Sequence, residues 1–385
     1  MTGKLSKNDA DRAAAASDIV ALSDFLVNYP DKTQLTEWYK NDGCQLVNSP
    51  EENARQIIRS TQYFDSWDEF EQFREAIQNK DSDIWQFEQA VDAIASGEEA
   101  TLKRLLQQNS RLIHMRSMRN HHSTLLNYVG ANGFEWYRQK TPKNAAEIAR
   151  ILLDAGSEVD AWGDMYGGTS TLGLVATSVH PVNAGVQQEI MEVLIAYGAN
   201  PNHAVAPGYT DGMLILACLH NGRIEPLKYL AEKGAKVDLE GAGGVGDLEI
   251  VKSYFATGGK LIDSGLNEKL NACFCWACQS GNKNVVEYLL GQGIDINTRS
   301  HGMTALHSAA FDGHIEIVKL LLDRNADMEA LNSFGGTVLS QTIWCYYNHF
   351  KPTHPQIIEI LIAEGAHIKD EWRPYIDELR QKRNK

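Results

Sequence analysis

The stretch GMTALHSAAFDGHIEIVKLLLDRNADMEALN, Gly302 to Asn332, decides the reading of the chain. It opens on a T-x-L-H turn, runs through a short helix, turns again at Gly313-His314 and closes on a longer helix ending in Leu320-Leu321-Leu322. The pattern recurs. Thr304 has a counterpart at Thr337, one unit further on. WACQSGNKNVVEYLLGQGIDIN falls in the same frame one unit earlier, with Gly281 for Gly313, Val285-Val286 for Ile317-Val318 and Leu289-Leu290 for Leu321-Leu322. A fixed period in the range of about 20–50 residues marks an array of supersecondary units, none of which buries its apolar stripe alone.

A second marker counts the copies independently. G-x-x-x-N/D occurs as Gly156–Asp160, Gly198–Asn202, Gly234–Asp238 and Gly293–Asn297, with weaker forms at Asn325–Glu329 and Gly365–Lys369. Its first residue sits where a helix stops in a left-handed conformation, which Gly and Asn adopt cheaply. Successive markers stand one unit apart, give or take a short insertion, except from Gly234 to Gly293, where the gap nearly doubles. That gap hides one degenerate copy, GAGGVGDLEIVKSYF, in which Gly246–Val251 mirrors Gly313–Val318. FEQAVDAIASGEEATLKRLLQQN reads as a first helix pair, and STLLNYVGANG, Ser123 to Gly133, as a second inner helix.

The TALHSAA…GHIEIVKLLL…NAD string resembles the ankyrin repeat. The resemblance implies an all-α ankyrin-repeat solenoid of helix-turn-helix pairs with hairpin-like fingers. About eight repeats are expected over 85–370, preceded by a helical N-terminal region, 1–84, and closed by a capping helix and basic tail, 371–385. The chain is similar to free-standing bacterial ankyrin-repeat proteins. In ankyrin proteins the finger tips and inner helices line a concave binding face, so the resemblance implies protein binding at the level of fold analogy. The fifth repeat, about 239–263, carries Gly241, Gly243, Gly244 and Gly246 where an inner helix belongs. Each helical glycine costs roughly 1 kcal/mol against alanine, so this repeat is the expected weak link. In 1–84, Phe64, Trp67, Phe70 and Phe73 recur at helical spacing, and AAAASDIVALSDFLVNY reads as one helix.

Composition narrows the function. With 36 Lys and Arg against 50 Asp and Glu, the net charge is −14, which argues against nucleic acid and against an anionic membrane as partners. A hydrophobic content of 43% fits a folded chain. No stretch reaches the length of a membrane span, the first residues lack the apolar core of a signal peptide, and six cysteines read as free thiols. The expected location is cytoplasmic.

Departures from the repeat point to the site. Insertions lie at about 134–146, 178–187 and 346–356, and their lengths fit whole added helical turns. Each restart is marked by a proline, at Thr141-Pro142, His180-Pro181 and His354-Pro355. One finger carries Arg119, Asn120, His121 and His122, and the next carries Trp162, Asp164 and Tyr166. Aromatic and arginine side chains are the usual anchors of interfaces, so these residues are expected to meet a protein partner, with Trp344, Asn348 and His349 as a second patch. The acidic balance favours a partner with a basic patch, and self-association through the last insertion is a further expectation. The alternative is a small-molecule-binding protein or enzyme whose pocket gathers His122, Asp164, Tyr166 and His180 as acid–base groups.

Other motifs read as packing. GAGGVG matches a phosphate-loop pattern literally, but it falls in the repeat frame with no strand–helix alternation around it, so no nucleotide cofactor is expected. Cys273, Cys275 and Cys278 lack a second ligand pair at structural-zinc spacing, and Cys278 takes the small-residue position of Ala310, so no metal is expected.

Overall fold

The computed structural model describes residues 6–41, 43–46, 49–206 and 212–383. It is an all-α repeat fold whose described strands are two short hairpins, Trp162–Gly163 with Thr169–Ser170 and Arg299–Ser300 with Met303–Thr304. The chain divides into two compact units, Met1–Gly212 and Met213–Lys385, a boundary inside the stretch that reads in sequence as one array.

In the first unit, helices Lys7–Ala15, Ile19–Asn28, Lys32–Lys40, Pro50–Thr61 and Trp67–Gln78 close over a core of Leu22, Phe25, Ile57, Ile58, Phe64, Phe70 and Phe73. The helix expected from AAAASDIVALSDFLVNY is in fact two. Ser17 turns left-handed at φ 54, and the Asp18 side chain then accepts from Ala21 N and caps the second helix. Asp83–Ser96 pairs with Glu99–Gln108. The inner helix expected at Ser123–Gly133 is reduced to a 3-10 turn, Asn127–Gly130. Here Asn127 takes over the tying role: its amide accepts from Thr124 N at 2.9 Å and donates to Ala161 O at 3.0 Å. His307 does the equivalent in the best-formed repeat, bonding Thr304 Oγ1 at 2.7 Å and Gly336 O at 3.1 Å.

The insertions are built in three different ways. Around 134–146 there is only a 3-10 turn, Trp136–Arg138, before the helix Ala145–Asp154. Pro142 precedes that helix and does not start it. Around 178–187 a separate helix, Val179–Ala184, is capped by Ser178, with Pro181 inside its first turn. The last insertion lengthens the inner helix to 11 residues, Val338–Asn348, against 7 in Ala305–Phe311. At about 1.5 Å per residue, that carries its end roughly 6 Å further out. Pro355 lies in the first turn of the helix His354–Ala363, one residue after its start.

In the second unit the inner helices Leu214–His220, Leu239–Val245, Asn267–Gln279, Ala305–Phe311 and Val338–Asn348 alternate with Ile224–Glu232, Leu248–Ser253, Lys283–Gly291, Ile315–Leu322 and His354–Ala363. From Leu239 onward the apolar i, i+3, i+4 positions, such as Val285, Val286 and Leu289, contribute to one buried core. Arg373–Arg383 closes it, inserting Ile376 and Leu379. Asn384 and Lys385 of the basic tail lie outside the described residues. The glycine-rich copy is a complete helix pair. Asp238 caps Leu239–Val245 by accepting from Gly241 N at 2.9 Å. A Cβ at Gly243 would stand 2.1 Å from the Cys273 carbonyl oxygen, so the glycines let two helices approach closely. Three of them are therefore helical packing residues and Gly246 is the left-handed cap, rather than a phosphate-binding loop.

Candidate partner-binding surfaces

The finger of the first unit splits in two once folded. Arg119 and His121, expected to face a partner, are buried, at 2% and 3% exposure. Arg119 Nη1 donates to Glu88 Oε1 at 2.7 Å, and its Nε pairs with Glu135. Arg138 Nη1 donates to Glu88 Oε2 at 2.6 Å, and Arg138 also reaches Asp92. The Arg119 guanidinium lies 4.5 Å from the Phe73 ring centroid, so it also joins the N-terminal helices to the first repeats. Burial by itself would raise the Glu135 carboxyl, but Arg119 and a hydrogen bond from His121 hold it down at about 2. Burial disfavours the charge on Arg119, and the Glu88 and Glu135 carboxylates reverse that and raise it. These groups form an interior ion network. An arginine in a sequence carries no sign of whether it is outside or inside, because its partners, here Glu88 and Glu135, are remote in the chain.

The remaining finger residues face outward. Asn120 is exposed and tied to the N-terminal region, through its N–H to Tyr63 O at 2.7 Å and its amide to Asp65 at 3.0 Å. His122 Nδ1 lies 2.7 Å from Asp164 Oδ2, with both side chains more than half exposed. Tyr166, at φ 55 and 72% exposed, donates its hydroxyl to Asn132 at 2.9 Å. Trp162 is half-buried, its indole N–H on His203 O at 3.0 Å and its ring against Gly168, where a Cβ would stand 2.9 Å away. His180 sits on the inserted helix and makes no side-chain hydrogen bond to His122, Asp164 or Tyr166 among the described residues. The structure thus joins two of the four expected acid–base groups, and burial lowers the His180 imidazole.

The second unit holds a groove of about 440 Å³, lined mainly by Met303, Phe311, Phe334, Trp344 and Trp372. Phe334 is 94% exposed and Trp344 51%. The groove's polar floor is satisfied internally: Gln341 donates to His307 O at 3.0 Å and accepts from Asn332 at 2.8 Å. Nearby, His349 stacks on Phe311 at 4.7 Å and lies 3.7 Å from Asp312, and Asn348 bonds Trp344 O at 2.9 Å. The sequence patch Trp344, Asn348 and His349 is therefore one edge of a larger apolar surface. Phe334 went unnoticed in the sequence, although an aromatic in a glycine-flanked finger, S-F-G-G, is the same signal that marks Trp162 and Tyr166. Cys273, Cys275 and Cys278 are buried, like the other three cysteines, and all six lie outside any disulfide. Burial pushes up the thiols of Cys273, Cys275 and Cys278, that of Cys275 to about 12, which suits packing groups.

A family model described as ankyrin repeats (3 copies) matches residues 239–332, so the chain contains ankyrin repeats. That match begins inside the glycine-rich copy. Similar curated proteins include tyrosine-protein kinase HTK16 of Hydra vulgaris, 34% identical over 26% of this chain and 12% of that protein. Inversin of Gallus gallus is 45% identical over 15% of this chain and 5% of its own. Ankyrin repeat protein OPG189 of Variola virus is 25% identical over 60% of this chain and 39% of its own. The chain thus spans only a small part of the first two of these relatives. Among solved structures, the human ASB11 ankyrin repeat domain is 18% identical, with a TM-score of 0.37, over 73% of this chain and 99% of that one. Ankyrin repeats are in general protein–protein interaction modules. No described helix is long and apolar enough to cross a membrane.

Proposed function

We propose that this chain is a non-catalytic scaffold that binds a protein partner through the groove of its second unit. The observation that carries the reading is the pair Phe334 and Trp344, both exposed beside an apolar groove of about 440 Å³. Exposed aromatics of this size are costly in water and are the side chains that most often anchor interfaces. The occupant is a polypeptide segment with a large apolar anchor. Lysine or arginine flanking that anchor complements a net charge of −14 and makes the encounter salt-sensitive. The outward finger residues Trp162, Asp164, Tyr166, His122 and Asn120 form a second contact surface in the first unit. Arg119 and His121 act there only as internal supports. Six buried cysteines outside any disulfide support a reducing, cytoplasmic setting.

A displayed random-peptide library selected on the purified chain tests this reading. Wild type should enrich peptides with an aromatic or aliphatic anchor beside basic residues. The Phe334→Ser, Trp344→Ala variant, with unchanged circular dichroism, should bind them at least about tenfold more weakly, the loss expected of a hot-spot pair. A Trp162→Ala, Tyr166→Ala variant separates the two surfaces. Equal binding by wild type and the groove variant sinks the proposal, and a dimer lost only in the groove variant would make a second copy the occupant.

A further inference from the structure

We infer that His220, Glu240 and His301 form a binding site for one divalent transition-metal ion of the zinc class. The three residues come from separate places in the second unit. His220 ends the inner helix Leu214–His220, Glu240 lies in the first turn of Leu239–Val245, and His301 is at the tip of the hairpin Arg299–Ser300/Met303–Thr304. Their ligand atoms all lie within 4.8 Å of one another. His220 Nε2 and Glu240 Oε1 are already 3.3 Å apart. That matches the spacing of about 3.4 Å between ligands of a tetrahedral ion bonded at roughly 2.1 Å. Only His301 has to move in, by at most about 1.4 Å on the same geometry, and it is an exposed side chain on a two-residue turn.

The surroundings orient the donors as ligands. Trp276 Nε1 donates to Glu240 Oε1 at 2.9 Å and fixes the carboxylate, and Ser300 Oγ lies 2.8 Å from His301 Nδ1, leaving Nε2 for the ion. Ligating groups held by such second partners are the pattern of built metal sites. Burial opposes the Glu240 charge, but the bonds from His220 and Trp276 outweigh it and hold the carboxyl below its usual range. Burial and the neighbouring His220 lower the His301 imidazole. Two imidazoles and a carboxylate suit zinc better than calcium or magnesium, which prefer oxygen alone. A bound ion ties the finger carrying His301 to two inner helices, a grouping of which the scattered positions of the three residues in the chain give no hint.

Isothermal titration of the chelator-treated full chain with Zn²⁺ tests this, alongside the visible spectrum with Co²⁺ and Trp fluorescence. Wild type should take up one equivalent, with a cobalt band of tetrahedral intensity. His301→Ala and Glu240→Gln should each weaken binding by at least about tenfold. His114→Ala, an exposed histidine of the first unit, should leave it unchanged. His301 is exposed, so its removal leaves folding intact, as circular dichroism would verify. Absence of saturable zinc binding by wild type overturns the inference. So does wild-type affinity in His301→Ala, or an equal loss in His114→Ala.

Discussion

Replacing Arg119 with alanine should destabilise the first unit by about 3–5 kcal/mol, the usual cost of breaking a buried ion pair from one side. The structure supplies the reasons. Glu135 is fully buried and Glu88 nearly so, and Arg119 pairs with both. A carboxyl held at about 2 against an ordinary 4.5 stands for about 3 kcal/mol of stability at neutral pH. Because this folded-state value is depressed, the contribution is complete above about 4.5 and disappears as pH falls towards 2. In the variant the sign reverses. Without Arg119, burial raises the Glu135 carboxyl, protonation relieves the orphaned charge, and the deficit against wild type shrinks as the pH is lowered from 7 to 5. Urea unfolding followed by circular dichroism at both pH values measures the effect. Arg119→Met keeps most of the volume against Phe73 yet should lose almost as much. Adding Glu135→Gln to it should recover a large part, since the pair is then removed from both sides. A loss below about 1 kcal/mol for Arg119→Ala, with no pH dependence, would falsify the view that this network is interior and shared among its members.

Two further outcomes follow from packing and titration. Gly243→Ala gains roughly 1 kcal/mol of helix propensity but sets a Cβ 2.1 Å from the Cys273 carbonyl oxygen, so we expect a net loss of about 1–3 kcal/mol in thermal or urea unfolding. A stabilised variant would show that the close approach is not required. His307 is fully buried, and burial lowers its imidazole to about 4, opposed only in part by its bond to Gly336. Its folded-state value is depressed, so the second unit should keep this contribution above pH 6.5 and lose up to about 3 kcal/mol of it between pH 6.5 and 4. His307→Asn should flatten that slope, and an unchanged slope would place the acid sensitivity elsewhere.

Much of the repeat architecture was legible because its determinants are local. The T-x-L-H frame of Thr304–His307 fixes a cap and a turn within one short motif, and Thr304 does accept from His307 N in the structure. The Gly or Asn at each helix end is required by a left-handed backbone, and Gly156, Gly198, Gly234, Gly293, Asn325 and Gly365 all have positive φ. Those signals need no knowledge of neighbours. Where the outcome depended on neighbours, local reading went astray. Ser123–Gly133 has a helical pattern yet folds as a 3-10 turn stitched by Asn127. The Gly241–Gly246 run looked like a defect and is instead the contact that lets two helices meet.

The candidate sites divide along the same line. Aromatics in fingers, the exposed Tyr166 and the half-buried Trp162, could be picked out from residue type and loop context alone. Whether an arginine or histidine faces water could not. Arg119 and Asn120 are adjacent, and one is buried against Glu88 and Glu135 while the other is exposed. The grouping of Phe334 with Trp344, and of His220 with Glu240 and His301, arises because stacking within the second unit brings side chains distant in the sequence to one surface. The period, the turns and the buried stripe of each helix are written in the local chain, since they follow from backbone chemistry and hydrophobic spacing. Which polar groups pair inside, and which surfaces stay apolar outside, is settled by folding, because burial and ion pairing are properties of the packed neighbours and not of the residue.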